Sequence, residues 1–402
     1  MQNLPTQSTS YRRSLVYGFV IGIGLALVFA GGFFFRDLID RPSLAAASGE
    51  TDYALLDEVQ SLLNRHYFRE QPAYTQRQYA AIRGMLSSLN DPYTFFIDPP
   101  VAASESDVLA GTYGGIGVQV QRSEAGELVL YPFEDSPAIQ AGIEGGDRLR
   151  AVNGNPVDGG MSLDAVDQML RGEVKEGSGV EITVVKGDRD EELTVFVPFA
   201  VINVPSVVWR VLSEDARFGY IQIMRFTART PDEVRAALAE LESAAVEGLV
   251  IDMRNNTGGL LQESIQVADE FLDSGVIVYE RNNREQRAYN AAAGGEGIDL
   301  PLVVLVNRQT ASGAELVAGA IQDQGRGILI GQKTYGKGTV QQIFQLSDHS
   351  SLHVTSSQWL TPNERVLDAN GLEPDIAMIP DANGREVELG EAIRHLQEII
   401  GG

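Results

Sequence analysis

One stretch limits every fold open to this chain: from Leu15 to Phe35 the sequence is an unbroken apolar run without a charge. As a helix rising about 1.5 Å per residue it reaches roughly 30 Å, enough to cross the hydrocarbon core of a bilayer. A helix buried in a water-soluble core rarely runs this far without a charged residue, so the segment reads as a transmembrane anchor. Arg12 and Arg13 in front of it favour keeping residues 1–14 as a cytoplasmic tail. Residues 36–49 then form a linker, and everything beyond lies outside the cytoplasm, in a periplasm, a lumen or the cell exterior. Ala45-Ala46-Ala47 has the small residues signal peptidase requires, but it follows the charged stretch Arg36–Arg41. Cleavage signals sit close behind a shorter apolar region, so the expectation is an uncleaved, single-pass anchor.

The remaining length exceeds one ordinary core, and two or three domains are expected from 402 residues. A formal net charge of −24 repels nucleic acid and anionic lipid, which makes both poor candidate partners. There are no cysteines, so disulfides, thiol catalysis and thiolate metal sites are ruled out. Of the four histidines, His349 and His353 could share a strand face, but no third ligand is placed to complete a metal site. No metal and no cofactor are expected, and these two residues read as surface or strand-edge histidines.

Hydrophobic periodicity divides the rest. Residues 50–106 are a helical region, with Leu55, Leu56, Val59, Leu62 and Leu63, then Ile82, Met85, Leu86 and Leu89, at helical spacing. Asn90-Asp91-Pro92 ends that pattern. A helical pair packed on the main body accounts for it, with a homo-oligomer contact as the alternative. Residues 107–200 change character. Gly111–Val120 is a glycine-rich loop running into an alternating strand, and 128–131, 180–185 and 193–197 read as strands. Asp147–Gly154 reads as a strand ending in an Asn-Gly turn. Leu163, Val166, Met169 and Leu170 mark one helix face. From 201 to 402 strands and helices alternate: strands at 220–223, 248–251, 302–306 and 328–330, helices at 231–245, 261–272 and 314–323. The fold class is a multi-domain α/β protein in which helices cover a sheet.

Three segments in this last region suit chemistry. Asp252-Met-Arg-Asn-Asn-Thr-Gly258-Gly259 follows a buried strand, and paired glycines there let backbone N–H groups point into a site. Thr310-Ala-Ser312-Gly313-Ala sets a serine among small residues at a helix amino terminus, where free N–H groups favour developing negative charge. Taken alone, Ser312 reads as an ordinary helix N-cap serine. Gly331–Gln341 nearly spells a phosphate-binding loop, but Gly338 stands where serine or threonine is required and a strand follows instead of a helix. No histidine lies near these loops, which leaves a serine–lysine pair. A lysine acts as a base only when neutral, and an ordinary lysine pays about 4–5 kcal/mol for that at pH 7. Burial among Tyr335, Gly336 and Gly338 would offset much of it, and no acidic residue lies beside Lys337 in its own loop. Gln341, four residues on, is placed to orient the amine.

Together the three segments resemble the C-terminal processing (tail-specific) peptidases, over roughly residues 50–380 including Asn370–Asp375. The resemblance implies a layered, crotonase/ClpP-like α/β protease core with an inserted PDZ-like domain at 107–200. It implies Ser312 as nucleophile, Lys337 as base and Gln341 as its support. The oxyanion donors would be the N–H of Gly313 and one from the glycine turn, Gly258 before Gly259. Thr257 stands where the family's turn has proline. The middle domain resembles a PDZ domain, whose loop, here Gly114-Gly115-Ile116-Gly117, binds a substrate's terminal carboxylate while the peptide adds as a strand. Arg171 matches an arginine that links substrate binding to activity in some relatives, and reads equally as a helix-terminal charge. The expectation is therefore a serine endopeptidase acting near the apolar C-termini of protein substrates. The rivals are a non-catalytic membrane-bound PDZ adaptor and an acyl-CoA enzyme with a similar glycine turn.

Overall fold

The computed structural model describes residues 53–123, 125–187, 191–379 and 387–401. The apolar run at 15–35 lies outside the described residues, and among those described no helix is long and apolar enough to cross a membrane. The chain divides at Tyr74 into two units. In the first, helix Ala54–His66 buries none of its residues. The second, from Thr75 onward, holds the three larger sheets.

Continuous apolar runs decide the central sheet. Gly248–Asp252 and Leu302–Val306 are buried along their whole length, as strands covered on both faces must be. The sheet runs Val207–Val211, Phe218–Ile223, Gly248–Asp252, Leu302–Val306, Gly327–Gly331, Ile376–Ala377, parallel except for its first, antiparallel pair. Alternate residues serve opposite faces. Leu249, Ile251 and Val304 join a core with helices Thr230–Ser243, Leu261–Asp269 and Gly313–Asp323. Val250, Val303 and Leu305 face Leu389, Ala392, Ile393 and Leu396 of helix Val387–Gly401. Three neighbouring strands of this sheet are parallel, so the loops after Asp252, Val306 and Gly331 leave the same edge side by side. Sites in open α/β sheets form at that carboxyl edge.

A second sheet is entirely antiparallel and was not foreseen. Its long strand Ser351–Leu360 carries Thr339–Gln345 on one edge, and Phe95–Ile97 and Val276–Arg281 on the other, with Gln286–Asn290 outermost. Phe95–Ile97, Gln286–Asn290 and Thr339–Gln345 are short or largely exposed, and Ser351–Leu360 mixes polar with apolar residues, so the sheet lacks the apolar runs that betray the central one.

The inserted domain is a six-stranded antiparallel sheet in the order Val118–Arg122, Leu128–Pro132, Asp147–Val152, Gly179–Val185 and Glu192–Pro198, with the short Asn155–Pro156 pairing beside Asp147–Val152. Asn153 and Gly154 have φ of 49° and 73°, as the expected hairpin turn requires. Ser162 caps helix Leu163–Met169 by accepting from the Ala165 N–H. Thr112–Gly115 pairs with Ala200–Asn203, closing the two ends of the insertion into one neck.

Leu396 is fully buried against the second face of the central sheet. Leu396→Ala is expected to destabilise that core by about 2–4 kcal/mol, seen as a lower denaturant midpoint for the sheet's transition.

Candidate active site

The three parallel strands deliver their loops to one place, and hydrogen bonds lace them together. Asn256, wholly buried, donates from Nδ2 to the Ile223 carbonyl, accepts the Gly258 N–H at Oδ1 (2.8 Å), and accepts the Ala311 N–H at its own carbonyl. Thr310 Oγ1 donates to the Met253 carbonyl, and the Tyr335 N–H to the Thr310 carbonyl. Close approach explains the glycines: a Cβ on Gly258 would lie 2.7 Å from Ser312 Cβ, and one on Gly313 would lie 2.3 Å from Ser264 Oγ.

Ser312 sits at the turn into helix Gly313–Asp323 with φ 54° and ψ −120°. A non-glycine residue there costs of order 1–3 kcal/mol, a strain that persists only when its surroundings dictate it. The dictating group is Glu315, three residues on and wholly buried. Its Oε2 accepts the Ser312 N–H (3.0 Å) and the Lys337 N–H (2.9 Å), while Oε1 accepts the Gly336 N–H (2.7 Å) and the Thr334 hydroxyl (2.5 Å). Burial pushes this carboxyl's pKa up against the opposing pull of those four donors. Thr334 in turn is paired with Leu372 through two hydrogen bonds, so the late Asn370–Asp375 element braces the lysine loop.

Lys337 and Ser312 line the same cleft, of about 540 Å³, together with Gly258, Gly259, Gly313 and Gln341. Lys337 Nζ donates to Gln341 Oε1 (2.9 Å) and lies 5.3 Å from the centre of the Tyr93 ring. A register shift in strand Thr339–Gln345 falls between Val340 and Gln341. Burial lowers the lysine's pKa, and the Glu105 carboxylate works against that shift. Here the sequence expectation needs correction. No acid adjoins Lys337 in its loop, but helix Pro99–Ala110 brings Glu105 into the cleft, and the covering aromatic is Tyr93 while Tyr335 is exposed.

Other expected residues divide. The Gly313 N–H has no partner among the described residues, whereas the Gly258 N–H is given to Asn256, leaving the Gly259 N–H as the unpaired donor of the glycine turn. In the inserted domain, Gly114 and Gly115 end the neck strand, Ile116 and Gly117 follow it, and the Ile116 N–H is bonded to the Leu170 carbonyl (3.3 Å). Arg171 pairs with Asp167 (2.6 Å) and stacks over the Tyr113 ring (3.9 Å), lining a second cavity with Asp107 rather than the cleft. His353 is not a surface residue. It is buried, stacked on Phe95 and bonded to Glu105 (2.9 Å). Among the described residues no three acids or histidines gather as a metal site.

Sequence reasoning missed Glu315, Asn256, Tyr93 and Glu105. Glu315 carried a local signal in the Ser312-x-x-Glu315 spacing of a capping box, and Asn256 heads the Asn-Thr-Gly-Gly turn, whereas Tyr93 and Glu105 carried none.

A strained serine and a desolvated lysine facing one cleft, beside an intact peptide-binding fold, define a serine-type peptidase with a PDZ domain. The sequence profile of peptidase family S41 matches residues 217–378 and that of the PDZ domain matches 114–197. The carboxy-terminal-processing protease of Bartonella bacilliformis is 34% identical over 322 residues, spanning 78% of this chain and 73% of that protein. The carboxyl-terminal-processing protease of a Picosynechococcus species is 35% identical over 317 residues, 78% and 76% of the two chains. A crystal structure from Bacteroides fragilis described as an S41 protease superposes with a TM-score of 0.50, covering 86% of this chain and 97% of that one at 16% identity, and supports the fold alone. The chain belongs to the carboxy-terminal-processing proteases of peptidase family S41.

Replacing Glu315 by glutamine puts an NH2, in either orientation of the amide, against at least one backbone N–H that needs an acceptor. Glu315→Gln is expected to lower kcat/KM at least about 100-fold and to destabilise the fold by roughly 2–3 kcal/mol, read by peptide cleavage and by denaturant unfolding.

Proposed function

We propose that Ser312 is the nucleophile and Lys337 the general base of an endopeptidase that acts near the C-termini of protein substrates. The observation that carries this reading is the cleft itself: Ser312 and Lys337 line it together, and one Glu315 oxygen accepts the backbone N–H of both. Neutral Lys337 takes the Ser312 proton as the hydroxyl attacks the scissile carbonyl, while its own N–H donates to Gln341 and so turns the lone pair away from that side. The N–H of Gly313 and of Gly259 would hold the oxyanion. Protonated Lys337 then gives its proton to the leaving amine, and water resolves the acyl-enzyme with the same lysine as base.

The PDZ domain offers a route for substrate selection, in which a free carboxylate meets the Gly114–Gly117 loop and the peptide lies beside strand Val118–Arg122. Binding there requires the Ile116 N–H to leave Leu170 or the neighbouring loop N–H groups to serve instead. The names of the relatives support action at C-termini. The apolar run at 15–35 supports a single-pass anchor with the catalytic part outside the cytoplasm.

Full-length protein in detergent carrying Ser312→Ala is expected to bind a peptide with a free apolar C-terminus and not to cleave it; cleavage at the wild-type rate would overturn the assignment. The lysine gives a pH signature. Because folding lowers its pKa, the buried charge destabilises the fold below the folded pKa, and that penalty fades as pH rises toward the ordinary lysine value. Cleavage should rise with pH through the folded pKa. Lys337→Met should abolish cleavage and raise the thermal midpoint, by a margin that shrinks as the medium becomes alkaline.

A further inference from the structure

A primary amide has two ends of nearly equal shape and opposite hydrogen-bonding sense. Which end of Gln341 faces Lys337 therefore has to be imposed. With Oε1 inward, the lysine donates to it and keeps its lone pair for the serine proton. With Nε2 inward, the amide would donate into that lone pair and block the base. The partner on the far side decides. Gln341 Nε2 donates to the carbonyl of Tyr93, an atom that only accepts.

We propose that the turn Asp91–Thr94 is a positioning element of the catalytic site, with the Tyr93 carbonyl fixing the polarity of Gln341 toward Lys337. The turn lies outside both matched family segments. It is braced from within: the Asp91 carboxylate accepts the Tyr93 N–H (3.0 Å) and the Thr94 hydroxyl (2.6 Å). It is also pinned to the sheet that carries Gln341. Buried Thr94 Oγ1 accepts the N–H of Thr355, the residue directly opposite Gln341 in the strand register. The Tyr93 ring covers the lysine side chain from the same turn. Asn90, with φ of 53°, starts the turn after helix Tyr74–Ser87 in the left-handed conformation that asparagine tolerates. The charged and titratable groups around the pair are Glu105, bonded to His353, from one side, Glu315 at the lysine backbone, and Tyr335 and Asp368 beside Tyr93. Asp91 is itself a carboxylate of the turn, so Asp91→Asn, which removes the charge and keeps the acceptor, separates geometry from charge.

This inference rests on the serine–lysine reading, and a double-mutant cycle on the full chain separates the two. Asp91→Ala, Gln341→Ala and their combination are compared by kcat/KM against pH on a peptide with a free apolar C-terminus. Asp91→Ala is expected to lower kcat/KM on the order of tenfold and to move the acid limb of the profile, while adding nothing in the Gln341→Ala background. Asp91→Asn, which keeps an acceptor for the Tyr93 N–H, should recover most of the loss. Should Asp91→Ala fail to fold, Thr94→Val against Thr94→Ser makes the same comparison. Losses that multiply in the double variant, or an acid limb that does not move, would overturn the proposal. An active Lys337→Ala would instead overturn the serine–lysine reading on which it stands.

Discussion

One oxygen of Glu315 receives the backbone N–H of Ser312 and the backbone N–H of Lys337, and the rest of the site depends on that bridge. The two residues lie on different strand-to-loop connections of the central sheet. Nothing in their side chains draws them together, since a hydroxyl and an amine attract each other only weakly in water. A carboxylate buried between the two loops has no water to turn to, so it accepts from whatever donors the loops offer, and four are offered. The strained backbone of Ser312 is the local counterpart of that constraint: its N–H is turned to the carboxylate while the residue lines the cleft.

Around this bridge the architecture separates holding from tuning. The central sheet and its buried helices hold Ser312 and the glycine turn rigidly, because their loops leave adjacent parallel strands. The antiparallel sheet holds Gln341. Helix Pro99–Ala110, which leads into the neck of the PDZ domain, contributes Glu105 to the cleft and Asp107 to the cavity containing Arg171. The lysine's proton affinity is set by opposing effects from these separate elements: burial lowers it and Glu105 raises it.

Much of this was legible in the sequence where the signal was local. Leu302–Val306 could be read as a buried strand because every residue is apolar, and Asn153-Gly154 as a hairpin turn because both positions demand positive φ. Ser312, Lys337 and Gln341 stood out as ordered short motifs, and the structure brings all three to one cleft. What was not legible came from distance. Tyr93 and Glu105 reach the lysine from more than two hundred residues away, and no spacing rule connects them to it. The antiparallel sheet was missed because the strands flanking its long Ser351–Leu360 are short or largely exposed, and that strand mixes polar with apolar residues instead of forming an apolar run. Glu315 was missed although its capping-box spacing was present, because a buried acid beside an expected neutral lysine runs against simple electrostatic expectation. The structure resolves that conflict by directing the carboxylate to backbone donors, with the lysine amine turned to Gln341 instead.

The proposed role of Lys337 as base requires that the fold withhold water from its amine. Site-resolved NMR titration of isotopically labelled lysine side chains in the intact protein measures this directly. The Lys337 midpoint is expected clearly below the ordinary lysine value of about 10.4. A midpoint at or above that value would mean a charged lysine in the resting site and would contradict that role.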